Sequence, residues 1–161
     1  MLLYIVRHGK AQRDSPSGRD SDRPLQPRGE RQALWLGRLV AERRTDRRPG
    51  VILSSPFVRA RDTARLLHQS LPMCELHFDE SLELGGPPED VVELINRHAA
   101  HDPVMVVGHN PQLESLLELL AHGLAGDAAE LRTGECAVLE FKGARVAPGE
   151  GTLVETLRLE D

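Results

Sequence analysis

The sequence predicts an α/β fold, a three-layer α/β/α sandwich in which a mostly parallel central sheet carries helices on both faces. Short apolar runs that suit buried strands recur along the chain. Segments with apolar residues at helical spacing separate these runs, so strand and helix alternate. A chain of 161 residues can bury a real core without metals or disulfides, and we therefore expect one domain that spans residues 1–161.

The first half of the chain starts this alternation. Residues 2–6 form an apolar run that is too short to span a membrane and suits a buried strand. A polar loop with scattered prolines follows over residues 12–27. Apolar side chains at helical spacing after Pro27 predict an amphipathic helix over residues 28–42. A second buried strand follows at residues 51–53, so the two strands bracket a helix.

The middle of the chain repeats the pattern. Helical spacing of apolar residues predicts a helix over residues 57–71 and another over residues 89–100. Between them, residues 74–78 suit a short strand, and residues 79–88 form a loop rich in glycine and proline. We therefore expect a third strand between two helices.

The last third of the chain completes the sheet. Residues 103–107 predict the fourth buried strand, and a leucine-rich helix follows Pro111. After a loop over residues 123–134, residues 136–141 and 152–159 predict two closing strands. We expect these two strands to form a hairpin at the edge of the sheet.

Composition excludes several classes of function. The net charge is -5 and aromatic residues make up 3% of the chain, which argues against a nucleic-acid-binding protein. Cys74 and Cys136 are far apart and have no partner at metal-ligand spacing, so a reducing, cytoplasmic setting is expected. His98 and His101 lie three residues apart without further clustered ligands, so we expect no metal site. No signal peptide or membrane-spanning segment is recognised, and no membrane association is expected.

The end of the first strand carries the first candidate functional residues. Arg7 and His8 follow the strand directly, where ligands of open α/β sheets bind, and Gly9 permits a sharp turn close to a bound group. A cation beside an imidazole indicates an anion site that contains a nucleophile or a base. A polar strand end at the protein surface would show the same residues.

Polar residues at four strand-to-helix junctions are expected at one rim of the sheet. Arg59 lies in the first turn of its predicted helix, where a positive charge is unfavourable unless an anion is bound. Two arginines suit a tetrahedral dianion, and a neutral imidazole nitrogen can attack phosphorus. Phosphoryl transfer is therefore the predicted reaction class. The residues expected to converge are Arg7, His8, Arg59, Glu83 and His109.

Arginines in the polar loop have two interpretations. Either they rim the predicted anion pocket, or they belong to an ordinary solvated loop. The residues concerned are Arg13, Arg19, Arg23 and Arg28.

Three blocks of sequence resemble the signature motifs of the histidine phosphatase superfamily, which has the phosphoglycerate mutase-like fold. They are RHGKA at residues 7–11, SSPFVRARDTA at residues 54–64 and VVGHNP at residues 106–111, in the family's order. The resemblance implies that His8 is the nucleophile, that Arg7, Arg59 and His109 bind phosphate with Gly9 beside them, and that no metal or other cofactor takes part. Glu83 is the candidate proton donor.

Two departures from the larger enzymes of that superfamily narrow the resemblance. Lys10 stands where mutases and many sugar phosphatases carry glutamate, and long insertions that close over small substrates are missing. Both features resemble the short SixA-type phosphohistidine phosphatases, as does the RPLQPRGERQA stretch at residues 23–33.

The resemblance implies a two-step hydrolysis. His8, kept neutral by the positive field of Arg7 and Arg59, attacks phosphorus, and water then releases inorganic phosphate. The loops at residues 12–27 and 123–134 carry no apolar lid, which favours a phosphohistidine-bearing protein as substrate. The alternatives are a small-molecule phosphomonoesterase and a non-catalytic module that binds phosphate or phosphohistidine.

Overall fold

A six-stranded sheet forms the middle layer of the computed structural model, which describes residues 1–123 and 129–160. In chain order its strands are β1 (Leu2–Arg7), β2 (Val51–Ser54), β3 (Glu75–Phe78), β4 (Val104–Gly108), β5 (Cys136–Glu140) and β6 (Thr152–Leu157). Their order across the sheet is β3-β2-β4-β1-β5-β6. The strand that carries Arg7 therefore lies inside the sheet, between β4 and β5.

The direction of the strands confirms the prediction of a mostly parallel sheet. β1, β2, β3 and β4 pair in parallel, whereas β5 pairs antiparallel with β1 and β6 antiparallel with β5. The last two strands form the predicted edge hairpin. The carboxyl ends of the four parallel strands consequently lie at one rim of the sheet, where ligands of such sheets bind.

Helices cover both faces of the sheet. Within the described ranges they are α1 (Pro27–Ala41), α2 (Val58–Ser70), α3 (Pro88–Arg97) and α4 (Gln112–Leu120). Successive side chains of β1 point to opposite faces, so Leu3 and Ile5 pack in the core under α3 and α4. Tyr4 and Val6 pack in the second core, under α1 and α2. These two cores are the interfaces of the predicted sandwich.

Most element boundaries lie within two residues of the sequence prediction, and two segments differ from it by more. The helix expected over residues 89–100 ends at Arg97, because the His98 N–H bonds to the carbonyl of Ile95 and a short 3-10 helix, Ala99–His101, follows. The polar loop over residues 12–27 contains a 3-10 helix at Asp20–Asp22. Of the loop expected over residues 123–134, residues 124–128 lie outside the described residues.

No helix within residues 1–123 and 129–160 combines the length and the apolar character that crossing a bilayer requires.

Candidate active site

The pairing of β1 with β4 brings two histidines together. Arg7 lies opposite Gly108 in the parallel register, so the residues that follow them, His8 and His109, leave the sheet side by side. The backbone N–H of His8 donates to the carbonyl of Gly108 at 3.1 Å, which holds the two strand ends together. The centroids of the two imidazole rings lie 5.2 Å apart. The structure thus places His8 and His109 next to each other.

The tautomer of His8 follows from its hydrogen bond. Its Nδ1 lies 2.7 Å from the carbonyl oxygen of Gly9, and a carbonyl only accepts, so Nδ1 carries the proton of the neutral ring. The lone pair is then on Nε2. His8 lines a pocket at the rim of the sheet, and a neutral imidazole in this tautomer has the free nitrogen that nucleophilic attack requires.

Gly9 supports this arrangement through its backbone. Its N–H donates to Oγ1 of Thr63 at 3.0 Å, and its carbonyl oxygen holds His8. A Cβ at position 9 would lie 2.6 Å from the carbonyl oxygen of Gly29, at the start of α1. Gly9 is not among the residues that line the pocket. The absence of a side chain at Gly9 therefore lets the start of α1 pack closely against this turn.

Burial keeps both imidazoles neutral. The pKa of His8 falls to about 4, chiefly because the ring is buried, and the charges of Arg59 and Arg7 act in the same direction. Burial also lowers the pKa of His109 to about 3, followed by the effect of the neighbouring His8 and Arg59. The arginine field expected from the sequence is therefore present, but burial is the larger cause.

His109 makes its described hydrogen bond away from His8. Its Nε2 lies 2.8 Å from Oγ of Ser55, which follows β2. Ser55 Oγ also accepts the backbone N–H of Phe57 at 3.1 Å, so its single proton is available for His109 Nε2. When the Ser55 hydroxyl donates to Nε2, the proton of neutral His109 is on Nδ1, a buried atom without a partner among the described residues. A bound anion would satisfy this donor.

The two arginines of the predicted set reach the same pocket. Arg7 donates from Nη1 to the carbonyl of Leu131 at 3.2 Å, while its buried Nε has no partner within the described ranges. Arg59 projects from the first turn of α2, and its guanidinium lies 5.3 Å from the ring centroid of Phe57. Both side chains line the pocket together with His8 and His109. Four of the five residues that the sequence predicted to converge therefore line one pocket.

Asp20 is the functional candidate that the sequence interpretation missed. The pocket has a volume of about 330 Å³, and Asp20 is the one acidic residue among its lining residues in the described part of the chain. Oδ2 of Asp20 lies 3.0 Å from Nη2 of Arg59, and Oδ1 lies 2.9 Å from Nη1 of Arg23. Hydrogen bonds from Arg23 and Arg59 lower the pKa of Asp20, so the carboxyl group is ionised at neutral pH. The sequence signal that could have identified Asp20 is an acidic residue between the arginines of the polar loop, Arg19 and Arg23.

The arginines of the polar loop divide between the two interpretations. Arg23 lines the pocket, as does Lys10. Arg19 instead pairs with Asp22, with Nη2 and Oδ2 3.1 Å apart, and does not line the pocket.

Glu83 is placed differently from the other predicted residues. It follows the 3-10 helix Glu80–Leu82 and is half-buried, but it is not among the residues that line the pocket. The next residue, Leu84, lines the pocket and is exposed. Glu83 is therefore outside the set of residues that line the pocket, whereas Arg7, Arg59 and His109 belong to it.

Potential metal ligands are not clustered within residues 1–123 and 129–160. No group of three or more histidine, cysteine, aspartate or glutamate side chains in these ranges could hold a metal ion. His98 and His101 have their ring centroids 6.1 Å apart, and His101 pairs with Glu75.

Sequence comparisons connect the chain to known proteins. Residues 3–83 match the profile of the histidine phosphatase superfamily (branch 1). An uncharacterized protein from Picosynechococcus sp. is 32% identical over 152 residues, which cover 91% of this chain and 88% of the relative. An uncharacterized protein from Mycobacterium tuberculosis is 35% identical over 162 residues, covering 92% of this chain and 96% of the relative.

Solved structures share the fold and confirm the predicted fold class. The candidate phosphohistidine phosphatase SixA from Agrobacterium tumefaciens has a TM-score of 0.78 at 29% identity, covering 97% of this chain and 96% of that chain. The protein histidine phosphatase SixA in complex with tungstate has a TM-score of 0.82 at 22% identity, with 98% and 97% covered. The second likeness concerns the fold alone.

Proposed function

The chain belongs to the histidine phosphatase superfamily, and on that basis we propose that His8 carries the phosphoryl group between a phosphorylated substrate and water. The observation that carries this proposal is the hydrogen bond from His8 Nδ1 to the carbonyl of Gly9. It leaves the Nε2 lone pair free in a pocket that also contains Arg7, Arg59 and His109. Nucleophile and anion-binding groups are thus in one place.

The proposed reaction has two displacement steps. In the first, the bond from His8 Nε2 to phosphorus forms while the bond to the leaving group breaks, and the electron pair of that bond stays with the leaving atom. In the second, water attacks phosphorus and the bond to Nε2 breaks, which restores His8 and releases inorganic phosphate. One proton of the water goes to solvent. No metal ion takes part.

Three side chains stabilise the charge of the transferring group in this proposal. Arg7 and Arg59 supply cationic N–H donors, and neutral His109 supplies the N–H on its Nδ1. Phosphoryl transfer depends mostly on positioning and on such electrostatic stabilisation. The arginines therefore supply the positive charge that a metal ion supplies in other enzymes of this reaction class.

We propose a phosphohistidine-bearing protein as the substrate. The one acid that lines the pocket in the described ranges, Asp20, is ionised and cannot give a proton to an alkoxide leaving group. The imidazole of phosphohistidine can be protonated before the bond breaks, so it leaves without a general acid. The 29% identity to the candidate phosphohistidine phosphatase SixA supports the same substrate class.

Substrate comparison tests this function. Release of inorganic phosphate is measured from a histidine-phosphorylated protein and from a panel of small phosphoesters, and the specificity constants kcat/KM are compared. We expect the phosphohistidine protein to have the larger value. A small ester that exceeds it by a wide margin would identify a metabolite phosphatase instead. Binding of the phosphorylated protein without release of phosphate would identify a binding module and overturn the proposed enzyme.

A further inference from the structure

We propose that Asp20 is a specificity-determining residue, whose carboxylate holds the phosphate-binding face of Arg59 and selects phosphohistidine over dianionic phosphomonoesters. This inference rests on the proposed function for its substrate class. The inference starts from one contact: the carboxylate of Asp20 accepts a hydrogen bond from the guanidinium of Arg59, the group that is proposed to bind the phosphoryl group.

The contacts between Asp20 and Arg59 are two hydrogen bonds. Nη1 of Arg59 donates to the backbone carbonyl of Asp20 at 2.8 Å, and Nη2 donates to Oδ2 of its carboxylate at 3.0 Å. Arg23 holds the other carboxylate oxygen, Oδ1, at 2.9 Å. A carboxylate and a phosphate each present two negatively charged oxygens, and both match the planar N–H donors of a guanidinium. Asp20 therefore stands where an anionic ligand of Arg59 would bind.

Burial shows which partner can move. The Arg59 side chain is 4% exposed, whereas the Asp20 side chain is 49% exposed. Asp20 also belongs to a short 3-10 helix in the polar loop, while Arg59 is fixed in α2. An incoming phosphoryl group thus displaces the carboxylate from a fixed guanidinium. Arg23, whose own side chain is 28% exposed, retains the displaced carboxylate beside the pocket.

A carboxylate that stays beside the pocket affects the binding of phosphomonoesters and of phosphohistidine differently. A phosphomonoester brings a dianion and an uncharged alcohol portion next to an existing negative charge, which weakens its binding. A phosphohistidine can bring a protonated ring, and a nearby carboxylate favours that cationic form. When its P–N bond breaks, the electron pair goes to the ring nitrogen and the ring leaves as neutral imidazole. The same charge therefore opposes one substrate and favours the other.

Asp22 provides a matched control on the same short helix. Its Oδ2 pairs with Nη2 of Arg19 at 3.1 Å, but it does not line the pocket. Asp20→Asn and Asp22→Asn remove the same charge from the same segment. Only the first removes the carboxylate from Arg59.

The test compares wild type, Asp20→Asn and Asp22→Asn in two measurements. The first is the inhibition constant of inorganic phosphate, with p-nitrophenyl phosphate as the substrate. The second is the ratio of kcat/KM for a histidine-phosphorylated protein to kcat/KM for p-nitrophenyl phosphate. We expect Asp20→Asn to tighten phosphate binding about three-fold or more and to shift the ratio about five-fold or more toward the ester, by removal of a close like charge. Asp22→Asn should match wild type in both.

The outcomes separate this inference from the proposed function. If Asp20→Asn binds phosphate as wild type does, or more weakly, the carboxylate does not compete for Arg59 and the inference is overturned. An unchanged ratio, or an equal change in Asp22→Asn, also overturns it. If wild type fails to hydrolyse the phosphohistidine protein, the proposed function fails, and with it the selection that we infer, while the phosphate measurement still decides whether Asp20 competes for Arg59.

Discussion

Nε2 of His109 lies 2.8 Å from Oγ of Ser55, and a hydroxyl that donates across this contact leaves the ring proton of neutral His109 on Nδ1. Ser55 follows β2 and His109 follows β4, and Ser54 and Val107 are paired in the register of these strands. The hydrogen bond is therefore a direct consequence of strand pairing. In the proposed mechanism it makes the neutral imidazole an N–H donor to the phosphoryl group without a positive charge on the ring.

Ser55→Ala should reduce kcat/KM about five- to thirty-fold, because a hydrogen bond of about 1–2 kcal/mol that holds His109 is lost. Nitrogen NMR of the imidazole should show that the Nδ1-protonated tautomer is no longer dominant. Ser54→Ala is the matched control, since Ser54 Oγ donates to the carbonyl of Ser55 and makes no described contact with His109. An unchanged tautomer in Ser55→Ala would contradict this role of Ser55.

The two pocket histidines should make the folded protein less stable in mild acid. Their pKa values of about 4 and about 3 lie below the ordinary value of 6.5, so the unfolded state binds more protons as the pH falls below 6.5. Between pH 7 and pH 5 each histidine should lower the free energy of unfolding by about 2 kcal/mol.

Urea unfolding at the two pH values measures this effect. A variant that carries both His8→Asn and His109→Asn should lose less stability between pH 7 and pH 5 than wild type. Equal losses in the two proteins would show that other groups cause the pH dependence.

Gly29→Ala should destabilise the fold and the active-site turn together. A Cβ at position 29 would lie 2.2 Å from the carbonyl oxygen of Lys10, a backbone atom that cannot yield without moving the turn after His8. We expect a loss of about 1–3 kcal/mol in the free energy of unfolding, as in other overpacked sites. Gly143→Ala is the control, because nothing lies within 4 Å of the added Cβ. Equal urea midpoints for the two variants would disprove the close packing of α1 on this turn.

Activity should survive exhaustive chelation of divalent metal ions. The reason is that Arg7 and Arg59 line the pocket and supply its positive charge. The measurement is phosphate release before and after dialysis against a chelator. Loss of activity that returns when a divalent ion is added would overturn metal independence.

The sequence predicted the fold class, and it predicted for a physical reason that Arg7, His8, Arg59 and His109 share one pocket. Buried parallel strands are nearly continuous apolar runs, and the residues after them must meet at one rim of the sheet. The sequence alone therefore predicted that Arg7, His8 and His109 lie close together. The meeting of Arg59 with them follows from its place in the first turn of α2.

Other parts of the site depend on contacts that no periodic pattern encodes. Asp20 reaches Arg59 only because the polar loop turns through a short 3-10 helix. Gly9 was predicted to let the backbone come close to a bound group. In the structure, the backbone of Gly29 is what lies close to Gly9. Glu83 was chosen from its neighbours in sequence, and a loop sequence does not determine which of its side chains, Glu83 or Leu84, lines a pocket.

The central claim is that His8 carries the phosphoryl group, and trapping the intermediate tests it most directly. Wild type is mixed with phosphorus-labelled substrate and quenched within milliseconds, and protein-bound label is then measured for stability in acid and alkali. We predict label that acid removes and alkali does not, located on His8 by peptide mapping and absent from a folded His8→Ala variant that has lost turnover. Turnover retained in His8→Ala, or label on another residue of the wild type, would contradict the account.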